Sequence, residues 1–517
     1  NNVFISRDSL ATVTGTYNVG IGSNSLEDLT SGAGNVGIGQ YAGSNITSSS
    51  GNVSIGYATN GGVTSHYLGN NIALGNRANN QGNTAFNVAI GPEAIRYNQG
   101  SYNVGIGSES LFGGSASVSS QNVAVGHRAV MSAGNSKEQN TGVGYLVMAS
   151  GSNNSVAVGH QAQRYNNGEN NTFIGHSAGL GVSGTSTAGN TVAVGYQALT
   201  ALTTGTSNTA VGYQASTALT TGAGNTTFGY QAGLALSTGS KLVALGYQAG
   251  RTTAGSTSDH GQTFVGYQAG INMTSGASGV VAIGSKAGGK TNGSWMTMVG
   301  SNAYSSNTNG TAIGASAKTR GYGVAVGSSA GDTNAGGTYI GYNSGGNNGL
   351  DNTVVGGSAG KGSGSYNVSI GESSGSSMTT GASNVLVGYS AGSALTTESN
   401  KLYIENSSST TPLIYGEFDN DILRVNGTLQ VGDPASTGFA FPASDGTSSQ
   451  VLQTDGSGAV TWATVSGGGG GPSDTDGLSE GSTNLYFTDA RVAANSAVTA
   501  NTAKVGITTQ QASDILA

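Results

Sequence analysis

One short phrase recurs along this chain about every sixteen or seventeen residues: an Asn, an apolar–small–apolar triplet, then a Gly. Asn208-Thr209-Ala210-Val211-Gly212 and Asn225-Thr226-Thr227-Phe228-Gly229 are consecutive copies. The period is short for a helical repeat and long for a hairpin. It suits one coil of a β-solenoid, in which each turn stacks on the one before. Copies run from Gly22 to Gly388, preceded by a degenerate one at Val3-Phe4-Ile5-Ser6. The interval between repeat glycines ranges from 13 residues (Gly314 to Gly327) to 20 (Gly175 to Gly195), so insertions are tolerated at one corner. With one coil per copy and about 4.8 Å between strands, the repeats predict a rod on the order of 115 Å long.

The fixed positions suggest the cross-section. Large apolar residues lie one and three places before the Gly, as at Val36 and Ile38 or Val123 and Val125, with Gly, Ala or Ser between them. This is strand alternation, and it predicts that the large residues form the inward row, Val211 among them. Three places after the Gly comes Ala or Ser, as at Ala42, Ala129 and Ala215, a slot expected where backbones approach closely. The Gly itself should turn a corner at positive φ or in a crowded place. Four places before it, Asn recurs at Asn18, Asn35, Asn52 and onward to Asn384, spaced to hydrogen-bond along the stack as a ladder.

Gly makes up 91 of 517 residues and charged residues only 8%. Such a composition cannot fill a wide core, and each coil is expected to be thin enough to need association with other chains. Cys is absent, which excludes a disulfide framework and Cys-based metal sites. A net charge of −7 with 17 Lys plus Arg provides no basic stripe for phosphates, arguing against nucleic-acid partners. No apolar run reaches the roughly 20 residues that span a bilayer. The first residue is an Asn inside a repeat, which reads as part of a longer or processed product.

The organisation predicted is a repeat shaft over 1–400, β-rich transition modules over 401–466, a Gly-rich linker over 467–477 and a C-terminal segment over 478–517. Lys401–Asn406, Pro412–Phe418 and Asp421–Val431 read as strands, with Asn426-Gly427 as a hairpin turn, and Gln450–Trp462 as a strand–turn–strand unit. Gly467 to Gly471 form a glycine run, and the Ala-rich stretch after Leu485–Val492 has helical composition.

No catalytic, cofactor or metal site is expected. Glycan-cleaving fibres use paired carboxylates. The 24 acidic residues are scattered here, with Glu27 and Asp28, Glu93, Glu109, Glu169, Asp259 and Glu372 each assigned to a different coil and mostly to its variable corner. His127, His160 and His176 occupy the slot after the repeat Gly that Tyr holds at Tyr57, Tyr145, Tyr196, Tyr213 and other coils. Rings that stack from coil to coil explain the slot, with a metal or anion held by three copies of one His as the alternative. His66 and His260 lie in inserted corners. Phrases such as Gly105-Ile106-Gly107 lack the following helix of a dinucleotide loop.

The apolar–Ala–apolar–Gly phrase followed by Ala or Ser resembles the head repeats of trimeric bacterial autotransporter adhesins. The variant Val211-Gly212-Tyr213-Gln214-Ala215, and the phrases Gln450–Trp462 and Asn484–Val492, are similar to those of phage tail fibres. The resemblance covers about three quarters of the chain and implies an all-β, left-handed parallel β-roll joined as a homotrimer. It further implies a structural and adhesive tail-fibre shaft in the virion, with tail or baseplate proteins and a host surface receptor, a glycan, as partners. Long coils and the lack of a membrane-anchor barrel depart from the adhesin pattern. A cell-surface trimeric adhesin on a bacterium stays open, and an ice-binding solenoid, suggested by Thr203, Thr204, Thr220 and Thr221, stays as a remote reading.

Overall fold

The computed structural model describes residues 1–464 apart from 6–12, 62–68, 81–83, 115–117, 132–136, 150–151, 253–260, 274–276, 289–292, 332–335, 347–348, 434 and 437. The predicted linker, the helical reading of the tail, Asp259, His66 and His260 lie outside the described residues. Among those described there is no helix.

The repeats fold as a parallel β-solenoid. Each triplet before a repeat Gly is a short strand, starting with the degenerate copy at Val3–Ile5, and each pairs in parallel with the next copy. The register is regular, with Thr209 opposite Thr226, Ala210 opposite Thr227 and Val211 opposite Phe228. The ladder continues past the last repeat Gly: Lys401–Ile404 pairs in parallel with Val385–Val387, and all these strands belong to one 27-stranded sheet.

The repeat Gly is there because the next coil leaves no room for a side chain. At Gly212 φ is 138°, and a Cβ would lie 2.3 Å from the carbonyl oxygen of Gly229. Two places on, Gln214 adopts the left-handed conformation at φ 53°, as do Gln197, Gln231 and Gln248 in their coils. That costs an L-residue roughly 1–2 kcal/mol. In return it aims the Gln214 N–H at the carbonyl of Tyr196 in the preceding coil, 2.8 Å away.

The strand alternation has the opposite sense from the one the sequence suggested. The small central residue points inward and is buried, as Ala157, Ala193 and Ala210 are, while the flanking Val, Ile and Thr point outward and are half-buried or exposed. Val211 is therefore half-buried on the outer face rather than in an inward row. The Ala or Ser three places after the Gly lines the same interior: Ala42, Ala129 and Ala215 are fully buried within the single chain, so the slot brings two walls of one coil together rather than two chains.

Size is balanced across this narrow interior. The inward strand residue faces the residue four places after a repeat Gly, in its own or the preceding coil. Where the strand offers Gly37 or Gly105, the facing position holds Leu26 or Ile95, whose side chain would lie 2.9 or 2.6 Å from an added Cβ. Where the strand offers Phe173, Phe264, Tyr339 or Leu386, the facing residue is Gly179, Gly270, Gly345 or Gly392. In these coils one large side chain facing one small one brings the interior to close packing.

Asn forms the expected ladder. The Oδ1 of Asn18 accepts the backbone N–H of Asn35 at 2.9 Å and that of Asn35 accepts Asn52 at 3.0 Å; the same bond joins Asn208 to Asn225, and Asn352 to Asn367 to Asn384. In several coils the Nδ2 donates to a carbonyl at the next corner, as Asn225 does to Gly239 at 2.9 Å. Ser155 replaces Asn without breaking the series, its Oγ accepting the Asn171 N–H at 3.1 Å, whereas Thr191 takes the Asn171 bond but turns its own hydroxyl to the Gly189 carbonyl at 3.0 Å.

Beyond the shaft the pairing becomes antiparallel. Ile414–Glu417 folds back on Lys401–Ile404, with Lys401 opposite Glu417. By compactness one unit covers Asn1–Arg424 and a second begins at Val425. Asn426-Gly427 does not close a hairpin between its flanking strands: Ile422–Val425 belongs to the long sheet, whereas Gln430–Val431 pairs with Phe439–Ala440. A Gly432 at φ 72° packed against Gly438 brings that second pair together. The unit from Gln450 is a hairpin, Gln450–Thr454 against Val460–Thr464, and Trp462 donates its indole N–H to the Ser444 carbonyl at 2.7 Å.

Candidate interaction surface

The outward strand positions stack into two apolar columns. Ile55, Ile90, Ile106, Val123, Val156 and Ile174 are each 37–40% exposed, and Phe228 reaches 58%. A single such residue on a surface needs no explanation. Here they recur from coil to coil along one sheet, forming a contiguous apolar patch of the kind that marks an interaction site. The first column mixes Val with Thr, at Thr141, Thr172, Thr209 and Thr226, so the face is apolar with a regular minority of hydroxyls.

Just past the corner runs a column of rings. His127, Tyr145, His160, His176, Tyr196, Tyr213, Tyr230, Tyr247 and Tyr267 stack in unbroken sequence, with centroids 4.8–5.5 Å apart and planes within 22° of parallel. The stacking explanation of the slot is correct, since one strand spacing along the solenoid equals one ring step. His160 and His176 lie face to face at 4.8 Å and 6°. Parallel imidazoles hold their in-plane lone pairs side by side rather than aimed at one point, so these two do not converge on a shared ion within one chain. Beside the rings, Gln197, Gln214, Gln231, Gln248 and Gln268 form an amide ladder at 3.0–3.1 Å per step.

The acidic residues do not assemble into a reactive pair. Glu93 and Glu109 occupy the left-handed turn position of successive coils, not the variable corner. Each is engaged by Arg: Glu93 by Arg96 at 2.6 Å and Arg77 at 3.8 Å, Glu109 by Arg128 at 2.8 Å. Glu169 accepts from the Asn153 amide at 2.6 Å, and Glu27, Asp28 and Glu372 are exposed. Thr203 and Thr220 donate their hydroxyls along the stack, to Thr220 O at 3.0 Å and Ser237 O at 2.9 Å. Those hydroxyls are committed to the solenoid rather than presented as an array.

At the end of the long sheet the exposure is greater. All four residues of Ile422–Val425 are exposed, Leu423 to 70%, and Leu429 and Val431 follow at 48 and 50%. The Arg424 guanidinium lies 5.2 Å from the centre of the Tyr415 ring. Tyr415 donates its hydroxyl to Glu417 at 2.6 Å, which holds the Glu417 carboxyl below the usual carboxylate range and pushes the Tyr415 hydroxyl up to about 12. Lys401 stands 3.8 Å from the same carboxylate.

The sequence contained the signal for this surface, the Val/Ile columns, but assigned it to the interior. The size exchange that fills the interior was also visible at Phe173, Phe264, Tyr339 and Leu386, each followed by a Gly four places after the repeat Gly. No protein-family model matches the chain, and no curated protein matches it.

Proposed function

We propose that the chain is a structural and adhesive fibre, the shaft of a phage tail fibre built from three copies. The observation that carries this reading is the pair of apolar columns on the outer face. Burying the exposed part of each Ile in a column contributes on the order of 1 kcal/mol, summed over the whole stack. A partner that follows the columns must share their axial period, and a copy of this chain has that period throughout. Left-handed winding and the trimeric state belong to this proposal. So do the virion location, the tail or baseplate attachment and a host surface glycan as receptor. The described carboxylates of the shaft are dispersed, with Glu93 and Glu109 held by Arg and Glu169 by an amide, which supports a non-enzymatic role for the shaft. Recognition then falls to the inserted corners and to the C-terminal modules.

The stoichiometry of native material tests the assembly: three chains are expected, and a stable monomer at micromolar concentration overturns it. Particles lacking the fibre should fail to adsorb to host cells, and the isolated segment should release no oligosaccharide from host polysaccharide. Adsorption that needs no phage particle, with the chain displayed on a bacterial surface, would favour the cell-surface adhesin instead.

A further inference from the structure

A periodic interface has a register problem. If copies of this chain meet along the Val/Ile columns, sliding one copy by a single coil replaces each contact with a nearly equivalent one and loses only the coil at the end. The regular repeats therefore bind strongly and align poorly, as any apolar pattern with a short period does. In coiled coils the same degeneracy is lifted by a non-repeating residue. This chain should need a non-repeating element on the same sheet.

The geometry points to Ile422–Val425 as that element, and we infer that its outward side chains pack against the same strand of other copies and set the axial register of the fibre. Three observations favour a second copy as the occupant. The strand belongs to the long sheet that carries the columns, so its surface continues the proposed interface. It is apolar and uncovered: Ile422, Leu423 and Val425 are 40, 70 and 36% exposed, whereas the coil strands from Val19–Ile21 to Val385–Val387 bury a central residue. Alternation places Leu423 and Val425 on one face and Ile422 with Arg424 on the other, and Arg424 lies over Tyr415. The Leu423/Val425 face is thus the one left for a partner. The antiparallel turn-back before it occurs once, after the last coil, so no slipped arrangement can reproduce its contacts.

The inference rests on the assembly reading, and the experiment separates the two. Phe228, exposed in the outer column, is replaced in the full chain by p-benzoylphenylalanine, and photo-cross-links to other copies are mapped by mass spectrometry. Because the coils differ in sequence, each cross-link reports which partner coil was touched. In the otherwise native fibre the cross-links should fall on one coil and its immediate neighbours. In Leu423→Asp/Val425→Asp the assembly should persist while cross-links spread over many coils, and Leu423→Met should keep the narrow pattern. Both residues are exposed in the single chain, so these changes leave each solenoid intact. An unchanged narrow pattern in the double variant overturns the inference, as does complete dissociation into folded monomers, which would make the strand the whole interface. A monomeric native protein overturns the assembly reading itself.

Discussion

The strand Thr209–Val211 and the strand Ile422–Val425 belong to one sheet and use the same kinds of side chain, yet they are stabilised differently. In Thr209–Val211 the central Ala210 is sealed inside a coil, both edges are hydrogen-bonded to parallel neighbours, and Asn208 and Asn225 tie the corner. In Ile422–Val425 nothing is sealed, and the most exposed position is a Leu. A shaft coil is completed by the coils above and below it within one chain. The strand after the turn-back has no sealed interior, and its apolar groups stay exposed. In this molecule the interior is filled by Ala and Ser together with buried large residues such as Leu26, Ile95, Phe173 and Phe264, while the Val and Ile that flank each strand centre stay on the outer face.

The sharpest way to break that comparison is to attack the interior. Phe264→Ala should open a cavity between Gly250 and Gly270, both of which a Cβ would bring against the ring, and cost about 3–5 kcal/mol. Thermal unfolding should report it, with the loss spreading to adjacent coils. Ala210→Asp should be of similar size, because a charge enters a sealed interior with no partner.

The Asn ladder comes next. Asn225→Ala removes the acceptor of the Leu242 N–H at 2.8 Å and the donor to Gly239 O, leaving buried groups unpaired at roughly 1–3 kcal/mol. Hydrogen exchange at Leu242 should rise well above that of distant coils.

Val211→Asp should be mild for the single chain, because Val211 sits on the outer face. Its effect should appear in association, as weaker assembly by sedimentation with little change in the unfolding of separated chains. Equal thermal shifts for Val211→Asp and Ala210→Asp would reverse the assignment of inner and outer faces.

The smallest effect is acid loosening of the turn-back after the shaft. Glu417 titrates below its unfolded value, so its contribution is present above the ordinary carboxylate range and is lost as pH falls through it. Tyr415 titrates above its unfolded value, so its contribution is full below about pH 10 and is lost as pH rises towards about 12. Local exchange over residues 401–424 should therefore increase in acid, near pH 4 and below, while the shaft stays protected. Glu417→Gln should remove that acid dependence.

Much of the fold is legible from spacing alone. The Gly, the Asn and the Ala slot each perform the job their position implies, because a coil that stacks on copies of itself imposes the same steric and hydrogen-bonding demand at every turn. The ring slot is legible for the same reason: one strand spacing is one stacking distance. The facing of the Val/Ile columns was not, because alternation separates two faces without saying which is inside. In most domains the larger residues go inward, but here the strand centre faces a close wall, and the large side chain that fills the gap comes from Leu26 or Ile95 on that wall or from Phe173 on the strand. The turn at Asn426-Gly427 failed similarly, since local turn chemistry does not choose which strand a segment will pair with.

The sequence by itself determined the repeat, the β-solenoid and the slots of the repeat Gly and the ladder Asn, since those follow from identical local demands repeated along the chain. Only the tertiary structure decided which side of each strand is interior. That depends on the distance between the two walls of a coil, a quantity set by the whole turn and carried by no single residue.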